Sequence, residues 1–304
     1  MTTISTAPQV ARHPSSPTFE EIPQYAGFWT AAWRRFRRNP LAIFGIVYVT
    51  IIILAAIFAP IITPYDVGEI HPEESLQTPS ARHWFGADYM GRDLFTRMVY
   101  GARPMLMVGF ITQIVGIVIG TLVGVTAGYV GGFVDWAVTR LIDLFSALPW
   151  YLIVLYMVMV LSPSLKNLII ALCITSWVGS CRIVRGLTMS IKEQEFIEAA
   201  RALGLPPWRT VLFHVMPQAA PLLIYSFAAG IPGAVFAEAG ISFLGMGIRP
   251  PDPSWGQMLA ESGSYWIYWP HMLFFPAIFI SVSVLAFQGM ADGLRQAFAV
   301  NVNV

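Results

Sequence analysis

Long apolar runs separated by short polar segments dominate the chain. A membrane-spanning helix needs roughly 20 apolar residues to cross about 30 Å of hydrocarbon. Six stretches reach that length, at about 41–62, 103–128, 135–161, 166–186, 217–245 and 270–291. The third begins with polar residues and contains Pro149. The pattern predicts an all-α membrane protein with six transmembrane helices.

One polar segment stands out between the fourth and fifth spans. Residues 195–217 read "EFIEAARALGLPPWRTVLFHVMP", with Glu195, Glu198, Arg201 and Arg209, and with breaks at Gly204, Pro206 and Pro207. Phe196, Ala200 and Leu203 recur at i, i+4, i+7, which predicts an apolar stripe on one helix face. Gly204 suits a left-handed cap, and the two prolines bar continuation of the helix. A second helical stretch, "WRTVLFHVM", then leads to Pro217. The segment reads as a short amphipathic helix at 195–204 lying crosswise at the inner surface. It could rest on lipid headgroups or serve as a handle for a cytoplasmic partner. The small Ala199 and Ala200, the charged rim and the stiff double-proline exit favour the handle.

Composition agrees with the pattern. Of 304 residues, 56% are hydrophobic and only 12% charged. Mean hydropathy is +0.63, and a soluble domain carries about twice that charge fraction. A net charge of +1 offers no argument for a nucleic-acid partner. Arg34, Arg35, Arg37 and Arg38 precede the first apolar run and place that end inside. Both termini are then cytoplasmic, and Arg182, Arg185, Lys192, Arg201, Arg209 and Arg295 fall on the same side. Arg82, Arg92, Arg97, Arg103, Lys166 and Arg249 fall outside, so the charge rule holds chiefly at the first helix and the fourth–fifth connection. The first run is long enough to be a retained helix rather than a cleaved leader. Residues 1–27 read as a disordered tail, 28–102 as the first helix with an outer loop, 103–298 as a helical core, and 299–304 as a second tail.

Candidate chemistry is sparse. There is no phosphate-binding loop, and the chain has only two lysines, Lys166 and Lys192. No H-E-x-x-H occurs and the five histidines are scattered, so neither a metal site nor a catalytic residue is assigned. Cys173 and Cys181 lie too far apart on a helix for a disulfide and read as small hydrophobes. Arg140 and Asp143 are spaced to pair on one face. Glu238 falls inside the fifth span, where it needs a partner or a wet cavity, and is the candidate translocation-pathway residue. Gly116, Gly120 and Gly124 repeat every four residues, a pattern for close helix packing.

"EAARALG" followed by "MP" resembles the E-A-A-x-x-x-G-x9-I-x-L-P motif of ATP-binding-cassette (ABC) importer permeases. Glu198, Ala199, Ala200, Gly204 and Pro217 match, while His214 and Met216 stand where the general motif has isoleucine and leucine. "HVMPQ" is similar to the form found in peptide permeases. "FGADYMGRDLFTRMVYGAR" (85–103), "SFLGMGIRPPDPSWGQML" (242–259), "ADGLRQAF" and the region 28–66 also resemble the C-type subunit of dipeptide, oligopeptide and nickel permeases. Gln296 departs from the usual aspartate of that ending.

The resemblance implies a MetI-like permease fold, with one helix followed by a five-helix core, in the bacterial inner membrane. It implies a homologous B-type permease as heterodimer partner, two cytoplasmic ATPase subunits that bind ATP and Mg, and an extracytoplasmic peptide-binding protein. This chain would hold no cofactor and would not itself be an enzyme. Glu198, Ala199, Ala200, Gly204, Leu205 and Pro217 would couple it to an ATPase. Uptake of nickel or another small solute, and an ion-coupled secondary transporter, are the alternatives.

Overall fold

The computed structural model of the protein describes residues 27–298. Apart from Gly27, the two predicted tails lie outside that range. Helix α1 (Phe28–Phe36) leads into α2 (Pro40–Ile57). Asn39 caps α2 by accepting from the Leu41 and Ala42 amides at 3.0 and 3.2 Å. Pro40 takes the first helical position, where its missing N–H costs nothing. A short turn, α3 (Ala59–Ile62), ends the first span, and an outer loop follows.

The second span is much longer than the apolar run predicts. Helix α4 covers Leu94–Val130, so it passes straight through the boundary placed at 102/103. Asp93 caps it through the Thr96 amide at 2.7 Å. Its first turns contain Arg97, which hydropathy reads as loop but which is 1% exposed in an ion-pair network.

The third predicted span is two helices, α5 (Gly132–Ala147) and α6 (Trp150–Leu161), bent by 81° at the break. Pro149 is the cause. It pushes Leu148 into an extended conformation (φ −99°, ψ 142°), as a residue before proline prefers. The remaining long helices are α7 (Leu165–Lys192), α10 (Met216–Phe243) and α12 (His271–Phe298). Among the described residues, five helices are long and apolar enough to cross a membrane, and the bent pair, taken as one span, makes six.

Helices α4 and α7 pack side by side along the glycine stripe. A Cβ on Gly116 would meet Ser176 at 2.7 Å, and one on Gly120 would meet the Trp177 carbonyl at 2.8 Å. Gly124 faces Cys181 and Arg185, and Gly128 faces Arg185 and Thr188. The numbers rise together, so the two helices are parallel. Parallel neighbours require α5 and α6 to carry the chain back across, and this fixes the bent pair as one traverse. Helices α2 and α12 are antiparallel, with Gly45 against Ala286 and Met290, and Gly289 against Leu41. Gly109 against Ile231 and Val235 sets α10 antiparallel to α4.

The start of α2, the ends of α4, α7 and α12, and the start of α10 therefore share one side. By the positive-charge rule it is the inner side. The opposite side carries a packed cap built from residues 63–93, α11 (Trp255–Ser262) and the loops around it. The cap explains three of the outer arginines that weaken the charge rule. Arg92 binds Asp88 at 2.7 Å and Glu261 at 3.2 Å, Arg97 binds Glu261 at 2.7 Å, and Arg82 pairs with Glu74. These positive charges are neutralised in place.

Candidate functional site

The polar segment folds as a clamped helix followed by a rigid exit. Helix α8 (Glu195–Ala202) follows α7 after a break of two residues, Glu193 and Gln194. Ile197 is fully buried against Ile191 and Val215, and Ala200 is buried as well. Phe196 and Leu203 are 40% and 80% exposed, so the i, i+4, i+7 stripe is not the inward face. The face that anchors α8 is Ile197 with Ala200. The sequence pattern misses it because the anchoring contact comes from Val215, beyond the break.

Gly204 has φ +77°, the left-handed conformation expected of it. The Leu205 amide reaches back to the Ala200 carbonyl at 3.1 Å, a Schellman closure that satisfies the end of α8. Nothing lies within 4 Å of where a Gly204 Cβ would sit, so glycine is required by the backbone and not by crowding. After Pro206, helix α9 (Pro207–Thr210) passes through a π-helical turn (Val211–Val215) directly into α10. The predicted second stretch is thus the inner end of the fifth span. Pro217 sits exposed in the first turn of α10.

The outward surface of this segment comprises Glu195, Phe196, Glu198, Ala199, Leu203 and Trp208. Among the described residues, Glu198 has no ion pair or side-chain hydrogen bond. Apolar side chains rimmed by unpaired carboxylates face away from the body of the protein.

Two further contacts fix the inner ends of the spans. Arg185 on α7 grips Asp135 on α5, with Nη2 2.7 Å from Oδ2 and Nε on the other oxygen. Arg182 donates to Ser146 at 2.8 Å. Arg140 pairs with Asp143 at 3.2 Å, as the spacing predicts, and both are solvent-exposed. The Arg185–Asp135 pair is invisible to i, i+3 reasoning because 50 residues separate its members.

A hollow of about 230 Å³ opens between α4, α6, α7 and α10. Thr112, Gln113, Thr175, Ser176, Trp150 and Gly230 are among its lining residues. No charged side chain lines it. Glu238 lies off this wall. It is 1% exposed and accepts from Ser242 at 2.9 Å and Ser254 at 2.6 Å. Ser254 also caps α11, so Glu238 ties the outer cap to α10. The neighbouring Ala234 and Ala237, not Glu238, face the hollow.

An all-helical membrane unit, capped outside, with a central neutral hollow and a clamped polar helix between two of its inner ends, is a transport subunit built to work with other proteins. The chain belongs to the family described as "binding-protein-dependent transport system inner membrane component", whose profile matches residues 120–300. A second profile, "N-terminal TM domain of oligopeptide transport permease C", matches residues 27–79. It is thus a permease subunit of the inner membrane, not an enzyme. Such a transporter also comprises an ATPase and a binding protein.

The chain is 38% identical to the dipeptide transport system permease protein DppC of Alkalihalophilus pseudofirmus over 297 residues, 98% of each chain. It is 41% identical to the glutathione transport system permease protein GsiD of Shigella flexneri serotype 5b, covering 88% of this chain and 89% of that one. It is 38% identical to the oligopeptide transport system permease protein OppC of Bacillus subtilis, covering 88% of both. The fold is similar to a chain of the MetNI methionine ABC transporter solved in inward-facing conformations. The TM-score is 0.56 at 23% identity, with 68% of this chain and 97% of that one covered.

Proposed function

We propose that the chain is the C-type permease of an ATP-driven importer of short peptides, and that α8 is the lever through which the ATPase moves it. The observation that carries the lever is the two-sidedness of α8. Ile197 locks it to α7 and to the turn that leads into α10, and Phe196 leans on His214 of that turn, while Glu198, Ala199 and Leu203 present an exposed face. A cytoplasmic ATPase seated on that face would move α7 and α10 together, since the Gly204 closure and Pro206–Pro207 leave no slack between them. Glu198, Ala199, Ala200, Gly204, Leu205 and Pro217 serve this docking and its transmission. ATP and Mg would bind the ATPase subunits, two per transporter.

The hollow supports a peptide as the solute. The Gln113 amide can both donate to and accept from a peptide backbone, and the Thr175 and Ser176 hydroxyl oxygens, whose protons go to the Leu172 and Cys173 carbonyls, can accept from peptide N–H groups. At about 230 Å³ it is smaller than a typical ligand pocket, which is why a homologous B-type permease is needed to supply the facing wall. Relatives named for dipeptide, oligopeptide and glutathione transport favour the same solute class. The cycle is alternating access. ATP binding closes the motor and opens the shared cavity outward, an extracytoplasmic peptide-binding protein delivers the solute, and hydrolysis resets the cavity inward.

The test is reconstitution of the complete transporter with its binding protein, assaying ATP hydrolysis against di-, tri- and oligopeptides. Stimulation by one peptide class, with matching uptake, is expected. Stimulation by nickel alone, with every peptide inert, would overturn the peptide assignment while leaving the lever intact.

A further inference from the structure

Helix α1 presents a surface that its role in orienting the chain does not explain. Its inward face, Ala32 and Phe36, packs on α12 near Ala297 and on Ala42. Its outward face and the turn that follows it carry two ridges spaced four residues apart. One is Trp29, Trp33 and Arg37; the other is Thr30, Arg34 and Arg38. Together these six residues enclose an open hollow of about 650 Å³. The indoles are 59% and 54% exposed. Trp33 stacks on Phe36 at 5.8 Å, and Trp29 lies edge-on to Phe298 at 6.0 Å.

Among the described residues, none of Arg34, Arg37 and Arg38 has an ion-pair partner. The contrast with the outer cap is sharp, since Arg82, Arg92 and Arg97 are all paired there. Three exposed guanidiniums line one hollow, and an anion seated there would interact with all of them. Planar guanidinium groups bind phosphate through paired N–H donors, and tryptophan prefers the headgroup level of a bilayer. The surface also changes character along the chain. Just past the arginines, Leu41 and Phe44 at the start of α2 are 62% and 47% exposed. Cationic surface therefore gives way to apolar surface within about two helical turns, the order in which a phospholipid presents its headgroup and then its chains.

The geometry points to a seat for an anionic phospholipid of the inner leaflet, with the headgroup phosphate held by Arg34, Arg37 and Arg38 between the Trp29 and Trp33 indoles. A soluble protein partner fits less well, because the apolar surface continues into the first span.

The probe is phosphatidylglycerol against phosphatidylcholine, added to the purified full transporter in detergent and read by native mass spectrometry. The wild-type complex should retain phosphatidylglycerol about tenfold better than phosphatidylcholine. Each single change, Arg34→Gln, Arg37→Gln or Arg38→Gln, should cost about fivefold in retention, as expected for one cationic side chain at an anionic surface. The triple glutamine variant should abolish the preference, and the triple lysine variant should keep most of it. Millimolar inorganic phosphate should not displace the lipid. Undiminished phosphatidylglycerol retention in the single glutamine variants would overturn the site. So would displacement by inorganic phosphate alone, which marks a free-anion pocket. Loss of the ATPase subunits with lipid retention unchanged would mark a protein interface instead.

Discussion

Arg185 and Asp135 meet across the inner ends of α7 and α5 as a two-pronged ion pair, with Nη2 2.7 Å from Oδ2. The contact fixes the first turn of the broken traverse against the helix that runs directly into α8. Removing either partner should loosen the inner end of α5. The pair is about one-fifth exposed on each side, so its coupling energy is on the order of 1 kcal/mol. A double-mutant cycle with Asp135→Asn and Arg185→Gln, read by thermal unfolding in detergent, measures it. The charge-swapped double variant should recover most of the loss.

Gly204→Val should leave insertion and assembly intact and impair the link between ATP hydrolysis and uptake. The site is open, so the effect is backbone strain alone, about 1–2 kcal/mol for a non-glycine residue in the left-handed region. Gly204→Asn should be nearly silent, because asparagine tolerates that region. The measurement is ATP hydrolysed per solute taken up. Wild-type stoichiometry in the valine variant would remove the case for α8 as a lever.

Gly120→Ala should destabilise the protein by about 1–3 kcal/mol, because α7 must retreat to admit the methyl group. Gly179 and Gly186 are the internal control. Both lie in α7 with nothing within 4 Å of an added Cβ. Alanine there should stabilise the isolated subunit by about 0.5–1 kcal/mol through helix propensity. Thermal unfolding of the three variants side by side decides it.

The outer cap should be pH-sensitive through His83, which is fully buried and hydrogen-bonded to Asp93 at 2.9 Å and Glu74 at 2.8 Å. Burial opposes its charging, but the hydrogen bonds and charges of Asp93 and Glu74 outweigh that and raise its pKa above the usual histidine value. A raised pKa gives a contribution fully present below about pH 6.5 and lost as the pH climbs through the higher folded value. The hydrogen bond from His83, then the charges of Arg82 and His83, hold the Glu74 carboxyl below its usual range. Its contribution is present above the ordinary glutamate value and lost as pH falls through the depressed one. The cap should therefore resist protease best in mildly acidic buffer and loosen toward alkaline pH. His83→Gln should flatten the alkaline limb.

The sequence made the spans legible because their apolar runs are long, and it located α8 because charge and prolines interrupt that pattern. Gly204 was readable from its place after a helical stretch, since few residues but glycine adopt its backbone angles. The outward end of α4 was not readable. Arg97 and Asp93 look like loop residues until Asp88 and Glu261 arrive from elsewhere to neutralise the arginine. Hydropathy gave the third span its length, but the 81° bend depends on Leu148 yielding to Pro149. The sequence marks Glu238 as costly to bury, but its partner Ser254, 2.6 Å away, lies 16 residues further along the chain. In each case the missing information was a partner distant in sequence.

At 37 residues, or about 55 Å, α4 is nearly twice as long as the hydrocarbon layer is thick. One end stands among the ion pairs of the cap and the other lies against Arg185, so a single helix, with Pro104 inside its outer part, reaches both sides of the protein. A tilt of about 5° around its midpoint carries each end roughly 2 Å in opposite directions. The delivery side and the motor side of the transporter are therefore mechanically one object along this helix. If α8 carries the motor as proposed, a crosslink that immobilises the cap should slow ATP hydrolysis even with no solute present.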